Sequence, residues 1–174
     1  MQNAKDTFYM ALRGRLAELN PARTMVVRGA VRPGIVVEEN ELPSAGTSTD
    51  AFVLQWTALK VDPHGPMPLA AMSCDIRYAT DGAIARTTAG TTAGTTGNGG
   101  MDRGRMLGEM DAELVQAIEP RSAMKMNYAE TPAAAMATRV FWSDVVFGAV
   151  KAVGERLTRT ATVLVFAYQE AGEL

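Results

Sequence analysis

Residues 160–168, with the sequence TATVLVFAY, carry the strongest structural signal in this chain. Successive side chains of a β-strand point to opposite faces of the sheet, and here both alternating sets are apolar. One set is Ala161, Val163, Val165 and Ala167, and the other is Leu164, Phe166 and Tyr168. A strand without a polar face is typical of a sheet covered on both sides. The stretch therefore predicts a central strand, with helices on one face and a second layer or a neighbouring subunit on the other.

The segment before this stretch predicts a partner strand. Residues 139–153 are apolar in both alternating phases and indicate a second buried strand, broken near Gly148. Residues 154–156 have the length of a hairpin turn leading into a strand at 157–169. The two most apolar strands of the chain are therefore predicted to be antiparallel neighbours.

Shorter segments predict further strands. They are residues 24–32, 35–37, 52–61 and 72–78, with a turn at Pro33-Gly34 and polar or proline-rich loops at 43–50 and 62–68. The last of these strands has the clearest alternation, because Met72, Cys74 and Ile76 are apolar and the residues between them are polar. This pattern predicts one buried face and one face in water. Asp81-Gly82 turns the chain after this strand.

Two segments predict amphipathic helices. In residues 3–19 an apolar stripe of Phe8, Leu12, Leu16 and Leu19 recurs at helical spacing, Asn3 can cap the helix, and Asn20-Pro21 ends it. In residues 102–119 the stripe is Met106, Met110, Leu114 and Ile118, widened by Leu107 and Val115, and Pro120 follows it. Residues 121–138 are either irregular or a short helix.

The order of these segments predicts an α+β fold, in which two main helices pack on one face of a mostly antiparallel or mixed β-sheet. A length of 174 residues fits a single domain over 1–174. Residues 87–100 (TTAGTTAGTTGNGG) are of low complexity. Small side chains bury too little apolar area to offset the entropy of ordering, so this segment is predicted to be a flexible surface loop.

The composition narrows the classes of function. The net charge is −2 and no cluster of Lys and Arg stands out, so sequence-independent binding to nucleic acid is not expected. Cys74 is the single cysteine, which excludes an internal disulfide. The N-terminus lacks the basic and apolar regions of a signal peptide, and no apolar run approaches the length of a membrane span. We expect a soluble protein, made in the cytoplasm and without a membrane partner.

Few residues have catalytic or metal-binding potential. His64 lies in a loop with Pro and Gly, and one His with one Cys does not supply a metal site. Cys74 lies in the apolar phase of its strand, where a buried thiol keeps a high pKa. The motifs GxxxxGK[ST] and GxSxG are absent. The sequence therefore predicts no catalytic residue, no cofactor and no metal.

The charged residues favour a solvated surface. Glu38 and Glu39 are adjacent at a strand end. Asp111 and Glu113 lie two residues apart on a helix and therefore do not face each other. Asp75 and Arg77 share the wet face of one strand as a surface pair. In a ring of subunits, such charges would instead meet a neighbour or line a channel.

In the order of its elements the chain resembles tail terminator proteins of long-tailed bacteriophages, the ring that caps the tail tube and joins it to the head. The similarity lies in five features: a helix from Phe8 to Leu19, a short strand in Pro33-Gly34-Ile35-Val36-Val37 followed by acidic residues, a hairpin ending in Cys74-Asp75-Ile76-Arg77-Tyr78, an amphipathic helix from Met106 to Ile118, and a last apolar strand at 162–168.

This resemblance implies a structural virion protein of the tail and neck, assembled in the host cytoplasm. It implies a homohexameric ring without a cofactor, which contacts the tail tube protein on one side and a neck or connector protein on the other. DNA would pass through the ring without specific binding. The candidate interface residues are Glu38, Glu39, Asp75, Arg77, Thr91 and Thr92.

Two alternatives stay open from the sequence. The chain could be another component of the same assembly, either the tube subunit or a head–tail connector. It could also be a small-molecule-binding domain or an enzyme, in which case a pocket would contain His64 or Asp75 beside Cys74.

Overall fold

The computed structural model describes residues 1–41, 49–82, 101–119, 121–171 and 173. Within these residues the chain forms three helices and ten strands. In chain order they are α1 (Gln2–Leu19), β1 (Thr24–Val27), β2 (Ala30–Pro33), β3 (Ile35–Val37), α2 (Glu38–Glu41), β4 (Phe52–Asp62), β5 (Leu69–Thr80), α3 (Met101–Ile118), β6 (Ser122–Asn127), β7 (Ala134–Trp142), β8 (Val146–Phe147), β9 (Lys151–Val153) and β10 (Arg156–Tyr168).

Eight of these strands form one sheet in the order β3-β4-β5-β10-β7-β6, with β8 and β9 also paired to β10. All of its pairs are antiparallel except β3 with β4, which is parallel. The long helices α1 and α3 pack against this sheet. The predicted α+β class, with a mostly antiparallel sheet and two main helices, is confirmed.

The sheet is organised around β10, as the sequence predicted. β10 pairs with β5 from Leu157↔Thr80 to Tyr168↔Leu69. On its other side it pairs in turn with β9, β8 and β7. Gly154, with φ of 59°, occupies the turn between β9 and β10, so the predicted hairpin is confirmed.

The core lies between this sheet and the two long helices. Phe8 of α1 packs edge to face on Trp142 of β7, with ring centroids 5.3 Å apart. Met110 and Leu114 of α3 are fully buried. The helical stripes are confirmed in their central turns, but Leu19 and Val115 are exposed.

The prediction that Asn3 caps α1 is wrong. The helix begins at Gln2, and the Asn3 side chain donates to Glu173 Oε1 instead.

The first strand region differs from its prediction. Residues 24–33 form the β1–β2 hairpin, which turns at Arg28 and Gly29, whereas the sequence predicted a continuous strand turning at Pro33-Gly34. Both turn residues have positive φ, 50° and 81°. This backbone matches the right-handed twist of a two-residue hairpin, and glycine adopts it without strain.

The region after α3 also differs. Residues 121–138, read as irregular or a short helix, contain β6 and the first half of β7. The predicted strand at 139–153 is divided into β7, β8 and β9, and β9 is wholly exposed rather than buried. The predicted break near Gly148 is confirmed. Gly148 N donates to Thr160 O at 2.8 Å, and a Cβ at this position would lie 2.9 Å from that oxygen.

Candidate assembly surface

The two faces of the sheet differ in what covers them. Ala161, Val163, Val165 and Ala167 of β10 face the helices and are fully buried. The alternate side chains point to the other face, which no helix covers among the residues that the structure describes. The predicted helices on one face of β10 are confirmed. Among the described residues no second layer covers the other face, so its predicted cover by a neighbouring subunit stays a prediction.

One end of this open face is apolar. Phe141 of β7 lies directly opposite Phe166 of β10, and Leu164 and Tyr168 follow the same phase of β10. Leu164 is 46% exposed, and Phe141 and Tyr168 are each 44% exposed. We call these four residues the open apolar patch. Contiguous exposed apolar side chains of this kind mark surfaces that bind other proteins.

The other end of the open face is polar and holds two of the predicted interface residues. Arg77 donates to Glu38 at 2.7 Å, and Asp75 accepts a hydrogen bond from Thr162 at 2.8 Å. The predicted Asp75–Arg77 surface pair is therefore wrong, because each side chain bonds across to a neighbouring element instead. The open face thus divides into a polar end and an apolar end.

The remaining predicted interface residues lie apart from the patch. Glu39 forms an ion pair with Lys5 of α1, with Nζ and Oε2 3.6 Å apart. Glu38 and Glu39 directly follow the end of β3, as predicted, and belong to the single turn α2. Thr91 and Thr92 lie outside the described residues, as does all of the predicted loop at 87–100 and most of the loop at 43–50.

Two charged residues of α3, read from the sequence as solvated, instead form partly buried contacts with other elements. Glu113 receives two hydrogen bonds from the Arg23 guanidinium, at 2.7 and 2.8 Å, and one from Asn20 at 2.7 Å. Asp111 accepts hydrogen bonds from the Tyr78 hydroxyl and from Arg159. Their partners lie at least 33 residues away along the chain, so no local spacing could have indicated them.

Asp111 fixes α3 on the sheet, because Tyr78 belongs to β5 and Arg159 to β10. Burial, and then the hydrogen bond to Asp111, raise the pKa of Tyr78 above its ordinary value. The hydroxyl therefore stays protonated and acts as a donor. This contact is structural in character and lies on the helix side of the sheet.

Replacing Asp111 with Asn is expected to lower the free energy of unfolding by about 1–3 kcal/mol, since the Arg159 guanidinium then loses its charged acceptor. Urea denaturation at neutral pH measures the change. Glu109→Gln is the matched control, because Glu109 is an exposed carboxylate on the same helix. Equal stability of the two variants would show that Asp111 does not hold α3 in place.

A second buried charge cluster joins β6 to the end of the chain. Lys125 is fully buried, and its Nζ lies 2.6 Å from Glu173 Oε2 and 3.3 Å from Glu170 Oε1. Nζ also donates to the Tyr168 carbonyl oxygen at 2.7 Å. This is the carbonyl of a residue in the open apolar patch, so the cluster anchors the end of β10 where the patch lies.

The two residues considered for nucleophilic or metal chemistry lie in different environments. Cys74 is fully buried on the helix side, and burial, together with the nearby Asp75 charge, raises the pKa of its thiol. His64 is 91% exposed at its side chain and contacts Asp62. A cleft of about 230 Å³ between α1 and the β1–β2 hairpin is lined by residues such as Pro21, Arg23 and Val31, but by neither His64 nor Cys74.

The described parts of the chain contain no group of three or more His, Cys, Asp or Glu side chains placed to hold a metal ion. None of their helices has both the length and the apolar character needed to cross a membrane. No model of a known protein family matches the chain, and no curated protein matches it in sequence.

Proposed function

We propose that this chain is a structural subunit of a ring that caps the tail tube of a long-tailed bacteriophage and joins it to the head and neck. The observation that carries the proposal is the open apolar patch at one end of the uncovered face of the large sheet. Phe141, Leu164 and Tyr168 are each more than two-fifths exposed there. A subunit of a particle buries such a surface against its neighbours.

The arrangement of elements supports the same proposal. The resemblance to tail terminators rests on five elements, and the chain has all five in the same order. They are α1, β3 with the acidic residues after it, the β4–β5 hairpin, α3 and β10. The occupant that we propose for the patch is the adjoining ring of the tail, because all copies in a ring with rotational symmetry present the same patch in the same direction.

The proposal predicts that the purified chain associates into a ring and binds tail tubes. Six copies of 18.6 kDa have a mass of about 112 kDa. Size-exclusion chromatography with multi-angle light scattering over a concentration series measures that mass. Co-sedimentation with tail tubes from the phage that carries this gene measures docking. A strict monomer that adds nothing to tubes would overturn the proposal, and self-polymerisation into long tubes would identify a tube subunit instead.

A further inference from the structure

The large sheet has several outer edges with no strand beside them in the described part of the chain, and two of these edges are long and mostly exposed. β3 pairs with β4 only at Phe52, Val53 and Leu54, and α2, which follows β3, also contacts β4. No strand of the described residues lies along the outer edge of residues 55–62, where residues 57–60 are exposed. We call this the β4 edge. On the other side β6 pairs with β7 only, so the outer edge of residues 146–153, which contain β8 and β9, is open. We call this the β9 edge.

The two edges lie at diagonally opposite corners of the sheet. The inner side of the β4 edge pairs with residues 69–75 of β5. The inner side of the β9 edge pairs with residues 156–162 of β10, which in turn lie opposite residues 75–80 of β5. The β4 edge is therefore at one end of the sheet, and the β9 edge is on the other side at the other end.

The two edges also run in opposite directions. β4, β5, β10 and β9 are successive antiparallel neighbours, so β4 and β9 point opposite ways. A second copy placed beside the first in the same orientation would bring its β4 edge antiparallel to the β9 edge of the first. Antiparallel is the direction in which most of this sheet is already paired.

The edges have similar length and composition. Residues 55–62 read QWTALKVD and residues 146–153 read VFGAVKAV, and each carries one lysine, Lys60 or Lys151. Open edges present unpaired N–H and C=O groups to other chains, and a charged side chain on the edge limits indiscriminate pairing. By contrast, the outer edge of β6 contacts α1, since Met126 N donates to Thr7 Oγ1 at 2.9 Å.

We propose that the β4 edge of one copy pairs with the β9 edge of the next, so that the sheets of neighbouring copies join. This inference rests on the proposed ring and names the contact that closes it. The two edges are different surfaces, so the contact is heterologous and repeats until the ring closes. Every copy then has both edges paired, whereas a twofold dimer through one edge would leave the other edge open.

Successive amides of a strand point to opposite sides, so this alternation determines which amides of the two edges point outward. Asp50 N donates to Ala79 O, so the backbone N–H and C=O groups of the odd-numbered residues of β5 point towards β4. Among them Ala71 lies opposite Lys60. The Lys60 amide therefore points inward to β5, and the amide of Leu59 points outward from the β4 edge.

The same reasoning applies to the β9 edge. Gly148 N donates to Thr160 O, so the backbone N–H and C=O groups of the even-numbered residues of β10 point towards β8 and β9. Thr158 lies opposite Lys151, and Leu157 lies opposite Ala152. The Ala152 amide therefore points outward from the β9 edge.

Proline at an outward position removes an intermolecular donor and leaves the sheet of the single chain intact. We expect Leu59→Pro and Ala152→Pro each to abolish the ring in light scattering and native mass spectrometry, while circular dichroism and thermal unfolding stay close to wild type. Leu59→Val and Ala152→Ser are the matched controls, since they keep the amide, and both should form the ring. Lys60→Pro should instead destabilise the monomer, because its amide faces β5.

Mixing the two proline variants tests the heterologous pairing. Leu59→Pro keeps an intact β9 edge and Ala152→Pro keeps an intact β4 edge, so an equimolar mixture should give a one-to-one dimer that grows no further. Either variant alone should remain monomeric. A Leu59→Pro ring of normal mass, or a mixture without the dimer, would overturn this inference while the ring proposal stands. A wild-type chain that forms no ring would overturn the ring proposal and this inference with it.

Discussion

Val165→Asp is expected to unfold the protein, whereas Leu164→Asp, one residue earlier on the same strand, is expected to leave it folded. Val165 is fully buried against the helices, and aspartate there would place an unpaired charge in the core. The expected cost is about 4 kcal/mol or more, which is a large part of the 5–15 kcal/mol by which domains of this kind are stable. Leu164 points to the open face, where water solvates a carboxylate.

Leu164→Asp should therefore cost only about 1 kcal/mol, through the low preference of aspartate for strands. Its larger effect should be on assembly, since it places a charge in the centre of the open apolar patch. Thermal unfolding separates the two variants, and co-sedimentation with tail tubes measures docking. We expect Leu164→Asp to be folded and to form a ring, but not to co-sediment with tubes.

Thr160→Asp is the matched control for docking. Thr160 lies on the same strand and the same face, opposite Arg77 at the polar end, so its replacement should leave docking unchanged. Tube binding by Leu164→Asp at the wild-type level would show that the patch does not face the tube. A stable, folded Val165→Asp variant would show that the helix side of β10 is not the core.

The contrast between these neighbouring residues shows what sequence could predict and what it could not. Alternation predicted β10 and β5, and helical spacing predicted α1 and α3, because each of these elements has a set of buried apolar residues at regular spacing along most of its length. The apolar second set of β10 predicted a covering layer, but sequence cannot say whether this layer belongs to the same chain. In the single chain Leu164 is 46% exposed.

Other differences arise where tertiary contacts override local pattern. Lys125 lies in β6 with its side chain fully buried, so a polar residue occupies an inward position and the strand alternation of 121–138 was hidden. Arg28 adopts a positive φ in the β1–β2 turn. This conformation is uncommon for arginine, so the sequence did not indicate the turn. Asp111 and Glu113 were read as solvated because their partners are distant in sequence.

The candidate site was predictable only in part. Asp75 and Arg77 were identified from charge on a wet strand face and Glu38 from its place at a strand end, and Glu38 bonds to Arg77 on the open face. Phe141 was not considered as a surface residue, because its segment is apolar in both phases. Only the pairing of Phe141 with Phe166 across β7 and β10 shows that the two side chains share the open face.

Replacing Lys125 is the second change expected to have a large effect. Lys125→Met keeps much of the side-chain volume but removes the ammonium group that lies 2.6 Å from Glu173 and 3.3 Å from Glu170. Removing one partner of a buried ion pair costs about 3–5 kcal/mol, whereas replacing the whole cluster by uncharged groups costs far less. The variant Lys125→Met with Glu170→Gln and Glu173→Gln should therefore recover most of the stability, as measured by urea denaturation at pH 7.

The carboxyl pKa values predict how the stability that this cluster contributes changes with pH. Hydrogen bonds from Thr138, then from the Ala137 and Thr138 amides and from Lys125, lower the pKa of Glu170 to about 2 despite partial burial. Burial of Glu173 acts to raise its pKa, but hydrogen bonds from Lys125 and the Glu170 amide outweigh it, and that pKa is also lowered. Groups with lowered pKa values stabilise the fold above the ordinary carboxyl pKa of about 4.3, and this contribution is lost as the pH falls towards about 2.

The difference in stability between the wild type and Lys125→Met should therefore be largest at pH 7 and should shrink as the pH falls from about 4.3 to about 2. Without the ammonium group the two carboxylates gain less from ionisation, so acid removes less stability from the variant than from the wild type. Denaturation curves for both proteins at a series of pH values measure this difference. A gap that stays constant down to pH 2 would mean that Lys125 acts through packing alone and that the carboxylates are not its electrostatic partners.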